Sequence, residues 1–275
     1  MTISSNPAQT QARKEKLEAM YAEFYNGERG QCRFYEDCAC GLVNENPNGY
    51  RFSYAALVGS HYDLSLTANN KNIRILFVGK EGRSGNSKLD SPARLSDFLP
   101  EKKVNLHYRE TYKMLCEMLG YNWKNGKCKD KFKFLNKPDA NLACYALTNL
   151  YRCAFKKNDD DVRNIPNSDA QKEHCLSILR EEIRILEPTV IVLQKGDLHA
   201  EMIAGDAEPV DSAIGLFYSK KSDAHILETI HPSNYGKWYR TYKPRFTKAV
   251  NYLKAKGKLP APDCDTTDAL NEIVG

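Results

Sequence analysis

Three short polar segments carry side chains that hydrolysis requires. Glu81 lies in the Gly-rich segment GKEGR, Asn149 lies in LTNLYRC, and His231 opens HPS. A carboxylate can orient a water molecule or stabilise a developing cation, and an imidazole can donate a hydrogen bond to a leaving group as charge builds on it. An amide donates and accepts at once, so it can recognise the polar edge of a planar ligand. Each residue also has an ordinary structural explanation: Glu81 could be a surface glutamate, Asn149 a turn or cap residue, and His231 a structural histidine.

A fourth segment, from His231 to Lys254, contains six Lys or Arg residues and six aromatic residues but no Asp or Glu. This composition fits a solvated basic helix, or a surface that binds nucleic acid through phosphate contacts and aromatic wedges. The candidate phosphate ligands are Lys237, Arg240, Lys243 and Arg245, and the candidate wedges are Tyr235 and Trp238. A Lys-rich stretch at 122–139 adds further positive charge.

Composition narrows the class of protein. The chain has 275 residues, a formal net charge of +5 and 41% hydrophobic residues, which predicts one globular domain. Its apolar runs are too short to cross a membrane and its first residues lack the apolar core of a signal peptide, so we expect a cytoplasmic protein without a membrane partner. The nine cysteines indicate metal ligands or buried inert thiols.

Alternating strands and helices would position the polar segments. Four nearly apolar strands are predicted at Ile73 to Val78, in LACYALTNLYRC, in TVIVLQKG and in AHILETIHPS. Helices are predicted at about 12–25, at about 108–119, through DAQKEHCLSILREEIRILEP with Pro188 as its stop, and in TKAVNYLKAKG before Gly257. Nearly all-apolar strands alternating with helices are typical of a mainly parallel sheet that is covered on both faces.

The predicted fold is therefore α/β: a single three-layer domain over 30–257, with a mainly parallel central sheet flanked by helices and a loop-rich, Cys-containing N-terminal region. An N-terminal tail and helix would precede it at 1–29, and a flexible acidic tail would follow at 258–275. Ligands of open α/β sheets bind at the carboxyl ends of the strands, where Glu81, Asn149 and His231 lie. The sequence has no phosphate-binding glycine motif, so no nucleotide cofactor is expected.

The order of these segments resembles the uracil-DNA glycosylase superfamily, and most closely its iron-sulfur branch, over about Gly30 to Leu253. The resemblance implies a monofunctional DNA glycosylase that hydrolyses the N-glycosidic bond of a flipped uracil or modified or damaged pyrimidine and leaves an abasic site, in DNA repair or in defence against modified phage DNA. Glu81 would then support the cationic sugar and the water, His231 would stabilise the leaving base, and Asn149 would read its Watson-Crick edge.

The same resemblance assigns further residues to the base and to DNA. The base would stack on His107 or Tyr108, and it would contact Gly79 and Lys80. The remaining DNA contacts would come from Arg83, Ser233 and Asn234. The proline of the family's Gly-x-x-Pro-Gly motif is absent from GKEGR.

The resemblance also implies a [4Fe-4S] cluster held by four cysteines. Cys153 and Cys175 match the family's second pair, and two of Cys32, Cys38 and Cys40 would complete the set. Zinc is a chemical alternative for the same thiolates.

Two other functions compete with this interpretation. One is a non-catalytic nucleic-acid-binding module on a degenerate glycosylase fold. The other is a metal-dependent nuclease that uses Glu81 and Asp90. Lys80 keeps a minor strand-cleaving option open. We expect DNA as the partner and a monomeric chain.

Overall fold

The computed structural model describes residues 3–25, 32–38, 50–52, 56–67, 70–81, 106–122, 144–155, 169–231 and 234–274. For 50–52, 80, 81, 106–109, 153–155, 235 and 274 it describes the backbone alone.

Strands and helices alternate along much of the described chain. The strands are β1 (Ile3–Ser5), β2 (Tyr50–Phe52), β3 (Leu57–Val58), β4 (Leu64–Leu66), β5 (Lys71–Ile73), β6 (Ile75–Glu81), β7 (Ala146–Tyr151), β8 (Cys153–Phe155), β9 (Val190–Leu193), β10 (Ala207–Asp211), β11 (Leu216–Ser219) and β12 (Ala224–Glu228). The helices are α1 (Pro7–Phe24), α2 (Tyr35–Cys38), α3 (Leu106–Leu119), α4 (Asp169–Leu186), α5 (Ala200–Ile203), α6 (Tyr235–Lys237), α7 (Lys243–Ala255) and α8 (Thr267–Val274).

The central sheet confirms the predicted α/β class. Its seven strands have the order β10-β11-β12-β9-β6-β7-β3. The four inner strands, from β12 to β7, are parallel, and the strands outside them pair antiparallel. Because the inner strands are parallel, their carboxyl ends meet at one edge, which we call the carboxyl edge.

Helices cover both faces of this sheet. On one face Leu76, Val78 and Ile191 pack with residues of α1 and α4. On the other face Phe77 and Val192 pack with residues of α3, α7 and α8. The inner strands are buried on two sides, which explains their nearly continuous apolar sequences.

Two predicted helices have the expected apolar stripe and end. In α4 the side chains at Cys175, Ile178, Leu179, Ile183 and Leu186 are all buried. The chain leaves α4 through Glu187, at φ 45°, directly before Pro188. The last turn of α7 is likewise followed by Gly257, at φ 65°.

The predicted N-terminal helix is present as α1, and both ends of the described chain pack against the rest of the fold. At the N-terminus β1 pairs with β4, and Arg13 of α1 forms a buried ion pair with Asp63 at 3.1 Å. After Gly257, Leu259 and Leu270 are 1% and 5% exposed and pack into the core beside α3. The acidic composition of 258–275 concealed these apolar positions, which are spaced too widely to form a run.

Candidate functional site

Asn149 and Gly79 form the centre of the site. They are directly opposite each other on the parallel strands β7 and β6. A Cβ atom added to Gly79 would lie 2.3 Å from Oδ1 of Asn149, a distance that real Cβ atoms essentially never show. A Cβ at residue 79 would force the Asn149 amide to shift, and the bare glycine backbone makes room for this amide at the carboxyl edge. Both residues are predicted from the sequence to recognise the base, and the structure brings them together.

Lys80 and Glu81 continue β6 instead of starting a loop. Glu81 is opposite Tyr151, so the hydrogen-bonded ladder with β7 extends to the last residue of the strand. Pairing with a neighbouring strand is information that the Gly-rich sequence does not contain. The structure thus places the backbone of Glu81 two residues beyond Gly79 on the same strand.

His231 lies three residues after β12 and its side chain is half-buried. Its carbonyl oxygen accepts a hydrogen bond from the backbone N–H of Asn234 at 2.9 Å. Just before it, the Thr229 hydroxyl donates to the carbonyl oxygen of Leu193 at 2.7 Å and fixes the exit of β12. His231 therefore leaves the carboxyl edge of a strand that is two positions away from β6.

The basic segment continues from Asn234 through α6 and a single π-helical turn, Trp238–Tyr242, into α7. Asn234, Lys237 and Arg240 are exposed, as contacts with DNA would require. Lys243 is half-buried, with Nζ 4.9 Å from the centre of the Tyr239 ring.

Two members of the basic segment make contacts within the fold. Trp238, a predicted DNA wedge, is 2% exposed and its ring packs 6.0 Å from that of Phe246, so its side chain belongs to the core in this structure. Trp238 is buried because one face of α7 packs on the sheet. The spacing of residues in the basic segment did not reveal which face this would be. Arg245 donates from Nη2 to the carbonyl oxygen of Ser212 at 3.3 Å, which directs it towards β11.

The remaining predicted DNA and base contacts are placed only in part. His107 and Tyr108 belong to the first turn of α3, and Tyr235 begins α6, all by their backbone alone. Arg83 and Ser233 lie outside the described residues, as does Asp90 of the nuclease alternative.

A buried polar cluster joins α3 to the basic segment, and sequence reasoning missed it. The carboxylate of Glu110, 2% exposed, accepts hydrogen bonds from Lys113 Nζ at 2.7 Å and from the Tyr239 hydroxyl at 2.8 Å. Burial alone would lower the pKa of Lys113, but the hydrogen bonds with Glu110 and Tyr239 raise it. Lys113 therefore stays charged and is unsuited to act as a nucleophile.

Gln194 is a second residue that the sequence did not single out. It follows β9 directly and is fully buried. Its Nε2 donates to the Thr111 hydroxyl at 2.8 Å, while its Oε1 has no hydrogen-bond partner among the described residues. A buried amide oxygen left unpaired costs about 1–3 kcal/mol. A polar residue at the end of a four-residue apolar strand is the signal that could have identified it.

Three of the predicted cysteine ligands lie close together. Cys32 and Cys38 are at the two ends of the segment that contains α2, and Cys175 is in α4, which packs against it. Burial, followed by electrostatic repulsion from Cys175 and Cys32, raises the pKa of the Cys38 thiol to about 12. Such mutual repulsion requires that the three sulfurs be near one another.

The surroundings of these sulfurs also contain groups that favour thiolates. Burial raises the pKa of Cys175 to about 11, against the opposing effects of a hydrogen bond from the backbone of Arg152 and of its positive charge. For Cys32 burial likewise raises the pKa, while a hydrogen bond from the backbone of Phe34 lowers it. These thiols are of the donor type that iron-sulfur clusters use.

The ligand set is incomplete within the described side chains. Cys153 is described by its backbone in β8, one residue after Arg152, and Cys40 lies outside the described residues. Among the side chains that the structure describes, no three His, Cys, Asp or Glu residues are arranged to hold a metal ion. Cys116 and Cys144 are buried in the hydrophobic cluster on the opposite face of the sheet.

A buried ion pair connects the thiols with the Asn149 strand. Arg152 and Glu182 are both fully buried and form a salt bridge through Nη2 of Arg152. The Thr148 hydroxyl donates to Glu182 at 2.8 Å and accepts from Arg152 Nη1 at 2.8 Å. Because Thr148 immediately precedes Asn149, this network fixes the backbone from which the amide projects.

Most of the chain matches a known protein family. A family model described as the uracil DNA glycosylase superfamily matches residues 68–254, about two thirds of the chain. The matched region runs from the start of β5 to the end of α7 and includes the whole carboxyl edge. A search of curated proteins found no significant match. No helix in the described ranges is long and apolar enough to span a membrane.

Proposed function

Because the chain belongs to the uracil DNA glycosylase superfamily, we propose that it is a monofunctional DNA glycosylase that hydrolyses the N-glycosidic bond of a flipped uracil or modified or damaged pyrimidine, leaving an abasic site. Its role would be DNA repair or defence against modified phage DNA.

The observation that carries the proposal is the Asn149 amide lying over Gly79 at the carboxyl edge. An amide that both donates and accepts suits the Watson-Crick edge of a pyrimidine. The glycine beneath it allows the backbone of β6 to approach a planar ligand closely.

DNA would be held by the exposed cations of the basic segment, Lys237 and Arg240, through its phosphates. An enzyme that acts on a base must first take the base out of the stack. His107 or Tyr108, in the first turn of α3, would stack on the extruded base.

The chemical step breaks the C–N bond between the sugar and the base. The bonding electron pair leaves with the base, and His231 would donate a hydrogen bond to the base carbonyl oxygen as negative charge develops there. The Glu81 carboxylate would stabilise the cationic sugar and orient a water molecule, whose oxygen bonds to the sugar carbon. The proton released from that water would pass to the carboxylate. Hydrolysis then needs no redox partner.

We further propose that Cys153, Cys175 and two of Cys32, Cys38 and Cys40 hold a [4Fe-4S] cluster, with zinc as the alternative. When bound, this group would tether the N-terminal region to α4 and β8 through four thiolate bonds. It has no part in the hydrolytic step.

A base-release assay tests the proposed function. Duplexes that contain uracil or modified pyrimidines are incubated with the protein and then treated with alkali, which cleaves DNA at abasic sites. We expect release by the native chain and its loss in Glu81→Gln and His231→Ala. Matched controls are Glu208→Gln, whose side chain is 70% exposed on the outermost strand β10, and His61→Ala, which follows β3 at the amino end of β7. Both controls should release base at the native rate.

A non-catalytic binding module is the second candidate, and the exposed basic segment favours it because that segment needs no catalysis to bind DNA. The two candidates differ in one result. If DNA binds but no substrate loses a base, the glycosylase proposal fails and the binding module stands. Strand breaks without alkali that disappear with a chelator would instead indicate the nuclease.

A further inference from the structure

Gln194 stands in the same transverse row of the sheet as Gly79 and Asn149. Leu193 is opposite Val78 on β6, and the backbone N–H of Gln194 continues this ladder by donating to the Val78 carbonyl oxygen at 2.8 Å. Gln194 is therefore next to Gly79 on one side, as Asn149 is on the other. The row at the carboxyl edge reads Asn149, Gly79, Gln194.

The two amides also point to the same face of the sheet. Leu147, Phe77 and Val192 pack in the cluster with α3 and α7, and residues two positions further along their strands share that face. Gln194 contacts Thr111 and Met114 of α3, in agreement with this alternation. Two strand spacings of roughly 4.8 Å separate the backbones of Gln194 and Asn149, which lie about 10 Å apart with the bare glycine between them.

The amide of Gln194 is held at one end and free at the other. Thr111 fixes Nε2, which leaves the acceptor Oε1 without a partner in the described part of the chain although the side chain is fully buried. Buried polar atoms are nearly always paired in native proteins, so an unpaired one calls for an explanation. Neither the packing of the core nor the hydrogen bond to Thr111 of α3 explains why this oxygen is buried without a partner.

We propose that Gln194 is a second base-reading residue, whose Oε1 accepts a hydrogen bond from the edge of the base that Asn149 does not bind. This inference rests on the proposed function, because it assigns Asn149 to the Watson-Crick edge. The opposite edge of a pyrimidine carries its 5-substituent. The preferred substrate is then a pyrimidine with a hydroxyl on that substituent, over one with a methyl group.

Full burial sets a condition on this contact. Gln194 is fully buried against α3, so a base can reach it only if α3 moves away from β9. Until then the unpaired oxygen destabilises the free protein. An apolar side chain of the same length should consequently be tolerated by the fold while it loses the discrimination between bases.

The test compares two duplexes that differ by one hydroxyl group. Each carries a single 2′-fluoro nucleotide that resists hydrolysis, with either thymine or 5-hydroxymethyluracil as the base, and binding is measured for the native chain and for Gln194→Met. We expect the native chain to prefer 5-hydroxymethyluracil by about tenfold or more and Gln194→Met to bind the two equally. The melting temperature of Gln194→Met should equal or exceed the native value.

The matched control is Gln171→Met, which removes a buried amide from α4. It should keep the native preference between the two bases. An unchanged preference in Gln194→Met, or equal binding of both duplexes by the native chain, overturns the assignment, and so does a large fall in the melting temperature with preference retained.

The use of uncleavable nucleotides separates this inference from the proposed function. The chain could discriminate between the two bases through Gln194 but release neither of them from ordinary deoxyribose. This result would refute the glycosylase and leave the base-reading role intact. A chain that releases bases with the same preference in Gln194→Met refutes the base-reading role alone. A chain that binds neither duplex overturns both.

Discussion

Replacing Gly79 with alanine tests the central geometry of the site. The added Cβ would lie 2.3 Å from Oδ1 of Asn149, whereas ordinary van der Waals contacts begin at 3.4 Å. The amide must therefore move by about 1 Å, because both backbones are held in the ladder of β6 and β7. Overpacking of this kind lowers the free energy of unfolding by about 1–3 kcal/mol.

The functional loss should exceed the loss of stability. A displacement of about 1 Å in a group that positions a substrate can reduce the rate about 10²-fold. We expect single-turnover base release by Gly79→Ala to fall by about that factor, while binding of undamaged duplex DNA stays at the native level. Gly196→Ala is the control, since a Cβ there meets nothing within 4 Å.

A double variant identifies the clash itself. In an Asn149→Ala background the nearest remaining atom to the new Cβ is the Thr148 carbonyl oxygen at 3.8 Å, an ordinary contact. Gly79→Ala should then cost almost no additional unfolding free energy in urea denaturation. Equal destabilisation by Gly79→Ala with and without Asn149, or native activity of the single variant, would refute the reasoning.

Four further results are expected. Arg240→Ala should weaken DNA binding and reduce the slope of log affinity against log salt concentration by about 0.9. The free energy of unfolding should not change, because the side chain is exposed. An unchanged slope would exclude a phosphate contact. Glu182→Ala should lower the free energy of unfolding by about 3–5 kcal/mol, because it leaves the charge of Arg152 buried without its carboxylate partner. A loss below about 1 kcal/mol in urea denaturation would contradict this prediction. Burial lowers the pKa of His225 to about 4, below its unfolded value near 6.5, so the unfolded chain binds the proton first. The free energy of unfolding should therefore fall by up to about 3 kcal/mol as the pH drops from about 6.5 to 4. His225→Gln should flatten this pH dependence, and an equal slope in the variant would count against the reasoning. For the proposed iron-sulfur cluster, Cys175→Ala should bind less iron and show less visible absorbance than Cys144→Ala, because only Cys175 is a proposed ligand. Iron content that is equal in the two variants would argue against the proposed ligand set.

Much of the fold is predictable because its signals are local. The apolar strand that forms β9, the stripe of α4 and the stops at Pro188 and Gly257 each depend on neighbouring residues only. Strand ends also follow from the sequence, so Asn149 and His231 can be placed near one edge of a parallel sheet without the structure.

Other features depend on contacts between distant parts of the chain. Trp238 lies among cations, which suggests a wedge, but the packing of α7 buries it. Residues 258–274 have the composition of a loose acidic tail, but Leu259 and Leu270 fill space beside α3. Neither outcome is encoded in the local pattern, since burial depends on which face meets the sheet.

The sequence by itself determined the class of fold, the order of its strands along the chain and the residue types at their ends, because hydrophobic periodicity and turn residues act over a few positions. Only the tertiary structure decided which of those residues are neighbours. Register between β7, β6 and β9 brings Asn149, Gly79 and Gln194 into one row, although they are far apart in the sequence. Such registers arise from the packing of whole faces, and a shift by one residue would turn each side chain to the opposite face.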